Sequence, residues 1–280
     1  MEKILLYSPR VSAINLGDHI IYHSCLEVIN ELFPGSFKVE VSTHMPVGIR
    51  WMKRFNDVKY RFVLGTNILG FNFPKATGNW AVNPFNISSM GRSILLGVGW
   101  RSYKKSFETY ERWIYHKILD NNIVHSVRDN YTKNRLENLG IKCINTGCPT
   151  LWTLTEDHCS QIPSRKSDTV ITTVTDYAPD ENRDKKMIET LLENYKNVYV
   201  WIQGYNDFDY LGKLNITSDL KIIHPSLEAY REKLLELDCD YVGTRLHAGI
   251  MALRYQKRSL IIGIDNRAIE MGKDFHLPVL

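Results

Sequence analysis

Hydrophobic and polar positions along this chain alternate between two periods. Short runs rich in aliphatic and β-branched residues recur at Ile4–Ser8, Lys38–Ser42, Tyr60–Gly65, Ile94–Gly99, Ile123–Val127 and Cys143–Thr146, each of a length that suits a buried strand. Between them lie stretches with apolar residues three and four apart. Ile20, Ile21, Cys25, Val28, Ile29 and Leu32 form one such stripe, stopped by Pro34-Gly35. Others cover Phe107–Leu119 and Tyr131–Leu139, the second closed by Gly140. The rhythm breaks from Pro149 to about Ser167, where Pro163 and the polar run Ser164–Ser167 read as a linker. It then restarts. Strands are predicted at Thr169–Thr175, Val198–Gln203, Lys221–Ile223, Asp240–Gly243 and Ser259–Ile264, with helices at Asp180–Tyr195, Leu227–Leu237, Leu246–Tyr255 and near Ala268–Lys273.

Strands alternating with helices predict an α/β fold built on parallel sheets. Two such series on either side of a linker predict two doubly wound, Rossmann-like domains facing a cleft, residues 1–155 and 166–280. A doubly wound domain ordinarily adds another strand and helix beyond this point. The stop at Pro278-Val279-Leu280 therefore implies either a compact second domain or further chain.

Composition narrows the class. With 280 residues, 44% hydrophobic and 24% charged, the chain can bury proper cores and is not a disordered segment. The net charge of +4 is dispersed, with basic runs no longer than pairs such as Lys104-Lys105 or Lys185-Lys186. That argues against nucleic acid as a partner and suits anionic substrates. No apolar run approaches the ~20 residues of a membrane helix. The N-terminal run after Glu2 is too short for a signal peptide and reads as a strand. Five scattered cysteines without a CxxC pair predict neither a metal centre nor a disulfide framework, and point to the cytoplasm.

Open parallel sheets bind ligands at the carboxyl ends of their strands, so reactive residues matter most where a strand hands over to a helix. Gly243-Thr244-Arg245-Leu246-His247 occupies such a turn. Free N–H groups and the positive helix end would adjoin an Arg able to grip a carboxylate or phosphate with two prongs. A His two residues on can donate a proton near neutral pH. The same spacing also suits a salt-bridged Arg and a His packed under the helix start. Asn15-Leu16-Gly17-Asp18 sits at the first strand-to-helix turn. There Gly17 permits close approach, Asn15 and Asp18 offer groups to hydroxyls, and Asp18 equally suits capping a helix that begins at His19. Ser126-Val127-Arg128-Asp129 ends another strand, with Arg128 either facing the cleft or held by Asp129. Gly65 and Gly97 are strand-end glycines suited to close approach by substrate, but no GxGxxG pattern marks a nucleotide site. Arg267, after the last predicted strand, adds either a second positive charge or a turn salt bridge.

These blocks, in this order, resemble the polysaccharide pyruvyl transferase family. Asn15–Asp18 is similar to its N-terminal element. Ser126–Asp129 with Thr132, Leu136, Gly140 and Gly147-Cys148-Pro149 is similar to its middle block, and Gly243–Ala248 with Asp265 and Lys273 to its C-terminal block. Two departures stand out. Gly65-Thr66-Asn67 replaces a run of glycines, and Gly97-Val98-Gly99-Trp100 lacks the usual Gln. The resemblance implies a fold similar to glycosyltransferase-B enzymes and a ketal-forming transfer of pyruvyl from phosphoenolpyruvate to a saccharide of a surface or exopolysaccharide precursor, lipid-linked or soluble. It implies no cofactor and no metal. The location implied is the cytoplasm, or the inner face of the membrane as a peripheral protein. The donor falls to residues 166–280 and the acceptor to residues 1–155. Expected in catalysis are His247, Arg245 and Asp18; at the donor Thr244, Arg245, Leu246, His247, Arg128 and Arg267; at the acceptor Asn15, Gly17, Asp18, Gly65 and Gly97. The rival readings are a nucleotide-sugar glycosyltransferase of the same architecture, with Arg245 against a diphosphate, and a non-catalytic glycan-binding protein.

Overall fold

The computed structural model describes residues 1–48, 50, 53–70, 80–82, 87, 90–103, 108–216 and 220–280. The Lys104-Lys105 pair and the expected helix start at Phe107 lie outside the described residues. The chain forms two compact units, one of Met1–Ala13 with Ile21–Pro149 and one of Ile14–Ile20 with Thr150–Leu280.

In the first unit, β1 (Lys3–Ser8) pairs in parallel with β2 (Phe37–Ser42) and with β3 (Tyr60–Leu64). Between β1 and β2 runs α1 (Gly17–Leu32), the predicted amphipathic helix, with Ile20, Ile21, Cys25 and Ile29 buried. β1 carries Ile4, Leu5, Leu6 and Tyr7, all buried, as a strand covered on both faces requires. The Gly65-Thr66 turn after β3 leads into a short strand, β4 (Asn67–Leu69). The run Ile94–Gly99, expected as one strand, is two. β5 (Ser93–Leu96) continues the sheet in the order β2-β1-β3-β5, while β6 (Gly99–Trp100) pairs with β4. The break is at Gly97, whose φ of +63° only glycine adopts without strain. After α2 (Glu108–Ile118), β7 (His125–Val127) and β8 (Cys143–Asn145) pair in parallel around α3 (Asn130–Asn138). The predicted linker is not wholly irregular: it contains a 3-10 turn at Pro149–Leu151 and α4 (Glu156–Ser160).

The second unit holds a five-stranded parallel sheet. Its strands are β9 (Thr169–Thr172), β10 (Asn197–Trp201), β11 (Lys221–Ile223), β12 (Asp240–Gly243) and β13 (Ser259–Ile261), in the order β11-β10-β9-β12-β13. Chain progress runs one way from β9 to β11 and the other way from β12 to β13, so the winding reverses between β9 and β12. Ligands of open α/β sheets bind at that reversal. Its helices are α5 (Glu181–Asn194), α6 (Asp207–Lys213), α7 (Leu227–Glu236), α8 (Leu246–Arg254) and α9 (Asn266–Phe275). The helix α6 was not expected from the sequence. Beyond α9, Val279 bridges Ile261 in parallel, and Leu280 N donates to the Ile261 carbonyl at 2.8 Å, so the last residues extend the sheet edge. Trp201 of β10 stacks on Tyr230 of α7 with centroids 4.0 Å apart, and the Tyr230 hydroxyl donates to the Ala248 carbonyl at 2.9 Å. Tyr230 thus links β10, α7 and α8.

Candidate functional site

The ends of β9, β10 and β12 meet at the reversal point of the second unit. Gly243 closes β12, and a Cβ there would lie 2.5 Å from Thr173 Oγ1, so glycine is what lets the β12 turn lie against the end of β9. Thr244 is buried. Its hydroxyl shares a hydrogen bond with Thr175 (2.8 Å) and its N–H donates to the Thr173 carbonyl (3.2 Å). Its polar groups knit the two strand ends together.

Arg245, the residue before α8, is only 2% exposed. Its Nε donates to the Val174 carbonyl at 3.1 Å, and its Nη2 donates to Asp176 at 2.8 Å and to Asp207. The two-pronged grip expected of Arg245 is thus reduced to a single nitrogen, because Nη2 is occupied by carboxylates of the protein itself. Nη1 is buried without a hydrogen-bond partner among the described residues. Asp207 was not foreseen, since one acid in Asn206-Asp207-Phe208-Asp209 carries no spacing signal; Asp176 was legible only as a neighbour of a strand end. Burial acts to raise both carboxyls. At Asp176 the Arg245 charge and hydrogen bonds from Asp207 and Asn206 outweigh it and hold the acid below its usual range. At Asp207 burial wins and the carboxyl is raised in spite of Arg245.

The N-terminal motif joins this cluster. Ile14–Ile20 belongs to the second unit. Asn15 bridges Gly204 in antiparallel fashion, Leu16 N donates to the Gln203 carbonyl (3.0 Å), and Tyr205 N donates to the Ile14 carbonyl (3.0 Å). Asn15 Oδ1 accepts from Gly17 N at 2.9 Å and from Gln203 Nε2 at 2.7 Å. Asn15 thus holds the N–H of the first helical residue, and α1 starts at Gly17 rather than His19, which puts Asp18 inside the first turn rather than at the cap. A Cβ on Gly17 would lie 2.9 Å from Gln203 Nε2, so the glycine makes room for this clasp. Asp18, in the first turn of α1, lies within electrostatic reach of Arg267.

Arg267 stands at the start of α9, which Asp265 caps by accepting from Arg267 N at 2.9 Å. Its guanidinium bonds Asp265 and the Tyr177 hydroxyl. Arg245 and Arg267 both lie against the Tyr177 ring, at 4.9 and 5.5 Å from its centroid. Leu246 and His247 occupy the first turn of α8, and His247 is 4% exposed.

The remaining residues lie in the first unit. Arg128 is fully buried, bonded to Asn67 and to Asp129, and Asp129 caps α3 by accepting from Thr132 N at 2.6 Å. A Cβ at Gly65 would strike Ile21, and one at Gly97 would strike Pro149, so at both glycines the closest approach is made by the chain itself. No helix among the described residues is long and apolar enough to cross a membrane.

Comparison with known proteins bears on this geometry. The family model described as polysaccharide pyruvyl transferase matches residues 15–266. Among solved structures, a UDP-GlcNAc 2-epimerase of Methanocaldococcus jannaschii, in complex with UDP-GlcNAc and UDP, superposes with a TM-score of 0.55 at 14% identity, covering 100% of this chain and 88% of that one. An S. aureus MnaA–UDP co-structure gives 0.53 at 14% identity, covering 97% and 83%. Likeness at this identity establishes a shared α/β fold and nothing of the chemistry. No curated protein matches the chain.

Proposed function

The chain belongs to the polysaccharide pyruvyl transferase family, and from that premise we propose that it moves pyruvyl from phosphoenolpyruvate to a sugar, closing a pyruvate ketal. One observation carries the reading. The two motifs at opposite ends of the matched region, Asn15–Asp18 and Gly243–His247, are joined in one unit through Gln203, Gly204 and Asp207 at the sheet's reversal point. Residues 166–280 serve the donor. Arg245 Nη1, Arg267 and the N-terminus of α8 hold the donor's anionic groups.

The chemistry then runs through His247 and Asp18. His247 as imidazolium gives its proton to the methylene carbon of phosphoenolpyruvate, leaving an electron-poor C2. A sugar hydroxyl bonds to C2 and loses its proton to Asp18. The C2–O bond to phosphate breaks, phosphate departs with the bonding pair, and a second hydroxyl of the same sugar bonds to C2 and closes the ring, giving its proton to that phosphate. Arg128, expected at the donor, and Gly65 and Gly97, expected at the acceptor, lie in the first unit, where the chain itself occupies the space beside them. The protein works in the cytoplasm, where phosphoenolpyruvate is available, on a precursor of a surface polysaccharide.

Replacement of His247 by Ala tests the acid. Phosphate release from phosphoenolpyruvate with a glycan acceptor should fall by roughly 100-fold or more, while binding of phosphoenolpyruvate persists. Release near the wild-type rate would remove His247 from the mechanism. Thermal protection by nucleoside diphosphates and not by phosphoenolpyruvate would favour the nucleotide-sugar reading instead.

A further inference from the structure

The Arg245 guanidinium has one edge bound and one nitrogen bare. Nε and Nη2 are saturated by Val174, Asp176 and Asp207, while Nη1 is buried and unmatched among the described residues. Buried N–H groups without a partner are unfavourable and rare in native proteins, so a bare one at the strand ends of the sheet's reversal point points to a ligand atom that completes it. The clamp on the other edge is itself rigidly held. Asp207 is fully buried, accepts from Gly204 N at 2.6 Å and from Asp176 N at 3.1 Å, and opens α6. A Cβ at Gly204 would collide with Arg245 Nη2, so glycine is the residue that admits the guanidinium to this corner. Three separate turns, those after β9, β10 and β12, thus converge on the orientation of one planar group.

We infer that Asp207 is a positioning residue for the anionic donor: with Asp176 it clamps Nη2, fixes the guanidinium plane, and leaves Nη1 to meet a carboxylate or phosphate oxygen of phosphoenolpyruvate. The inference rests on the donor role proposed for Arg245. Asp207 touches no substrate. It acts through Arg245, by removing rotamers in which Nη1 faces elsewhere.

Two physical effects predict opposite signs, and this makes the inference testable. Repulsion through space says that removing a carboxylate beside an anion site tightens anion binding. Positioning says that it weakens binding, because the guanidinium is freed to rotate. The experiment is titration of the full chain with phosphoenolpyruvate at a temperature where every variant is folded, comparing wild type with Asp207→Ala, Asp207→Asn and Asp176→Asn. Expected is a Kd raised about tenfold or more in Asp207→Ala, the scale of one charge-assisted hydrogen bond, and partly restored in Asp207→Asn, whose amide oxygen can still accept from Nη2. An unchanged or tighter Kd in the Asp207 variants overturns the positioning role while the donor reading stands. A wild type that does not bind phosphoenolpyruvate overturns both. Where an Asp207 variant does not fold, Asp176→Asn decides alone: weaker binding supports the clamp, and equal or tighter binding overturns it.

Discussion

At the scale of single residues, identity matters less than what the fold sets beside it. Arg245 in the sequence is a cation at a helix start, open to a ligand or salt-bridged; in the structure it stands between two carboxylates, and its remaining capacity is one nitrogen. His125 shows the same dependence. Its ring is buried in the first unit, Nδ1 accepts from Leu95 N at 3.2 Å, and Nε2 faces the Asp120 carbonyl at 3.1 Å. Only the neutral ring with its proton on Nε2 satisfies both contacts, and burial lowers its pKa below 6.5. The unfolded chain therefore binds more protons below about pH 6.5, the ordinary value. The stability supplied by the neutral ring is complete above that pH and declines as pH falls toward the depressed folded value. Urea midpoints of wild type and His125→Gln should show a shallower acid slope in the variant. Equal slopes between pH 7 and about pH 5 would assign the acid sensitivity to other groups.

Elements were legible where period and length agreed. β1, α1, α3, α5 and α7 follow from apolar spacing with Pro, Gly, Asp and Ser at their ends. The helix α6 escaped notice because seven residues, among them Gly212 and two acids, give too little periodic signal. The two strands hidden in Ile94–Gly99 escaped because a turn made by Gly97 looks, in sequence, like a strand residue. Packing overrides propensity again at Gly249 in α8. A Cβ there would meet Ile261 Cγ1 at 2.5 Å and Tyr241 Cε1 at 2.9 Å, so the glycine lets the site helix lie close to β12 and β13. Helix propensity alone predicts that Gly249→Ala stabilises by up to ~1 kcal/mol. Overpacking predicts a loss of about 1–3 kcal/mol. Destabilisation in urea unfolding is expected, and a stabilised variant would refute the packing account.

At the scale of the whole molecule, the second unit is completed by a piece of chain drawn from the far N-terminal end. α1 begins in that unit at Gly17 and continues, from Ile21, in the first. Binding of phosphoenolpyruvate should accordingly slow amide exchange most in the turns after β9 and β12, around Thr173–Tyr177 and Gly243–Gly249, and in Asn15–Asp18. Protection confined to the first unit would remove the donor assignment from the second. The measurement is hydrogen exchange with and without ligand, and it reads local opening rather than global stability.

What the sequence determined by itself was local and periodic: the alternation of strands and helices, hence parallel sheets, and the turns where reactive residues stand. It also carried the ordered motifs of the family, because those lie within short stretches such as Gly243–His247. Only the tertiary structure decided which residues surround Arg245. The two acids on it come from segments far apart in the chain, and the Asn15 turn reaches Gln203 across 188 positions. Those contacts depend on strand order, and strand order is set by the packing of both faces of the sheet against helices, which no window of sequence contains.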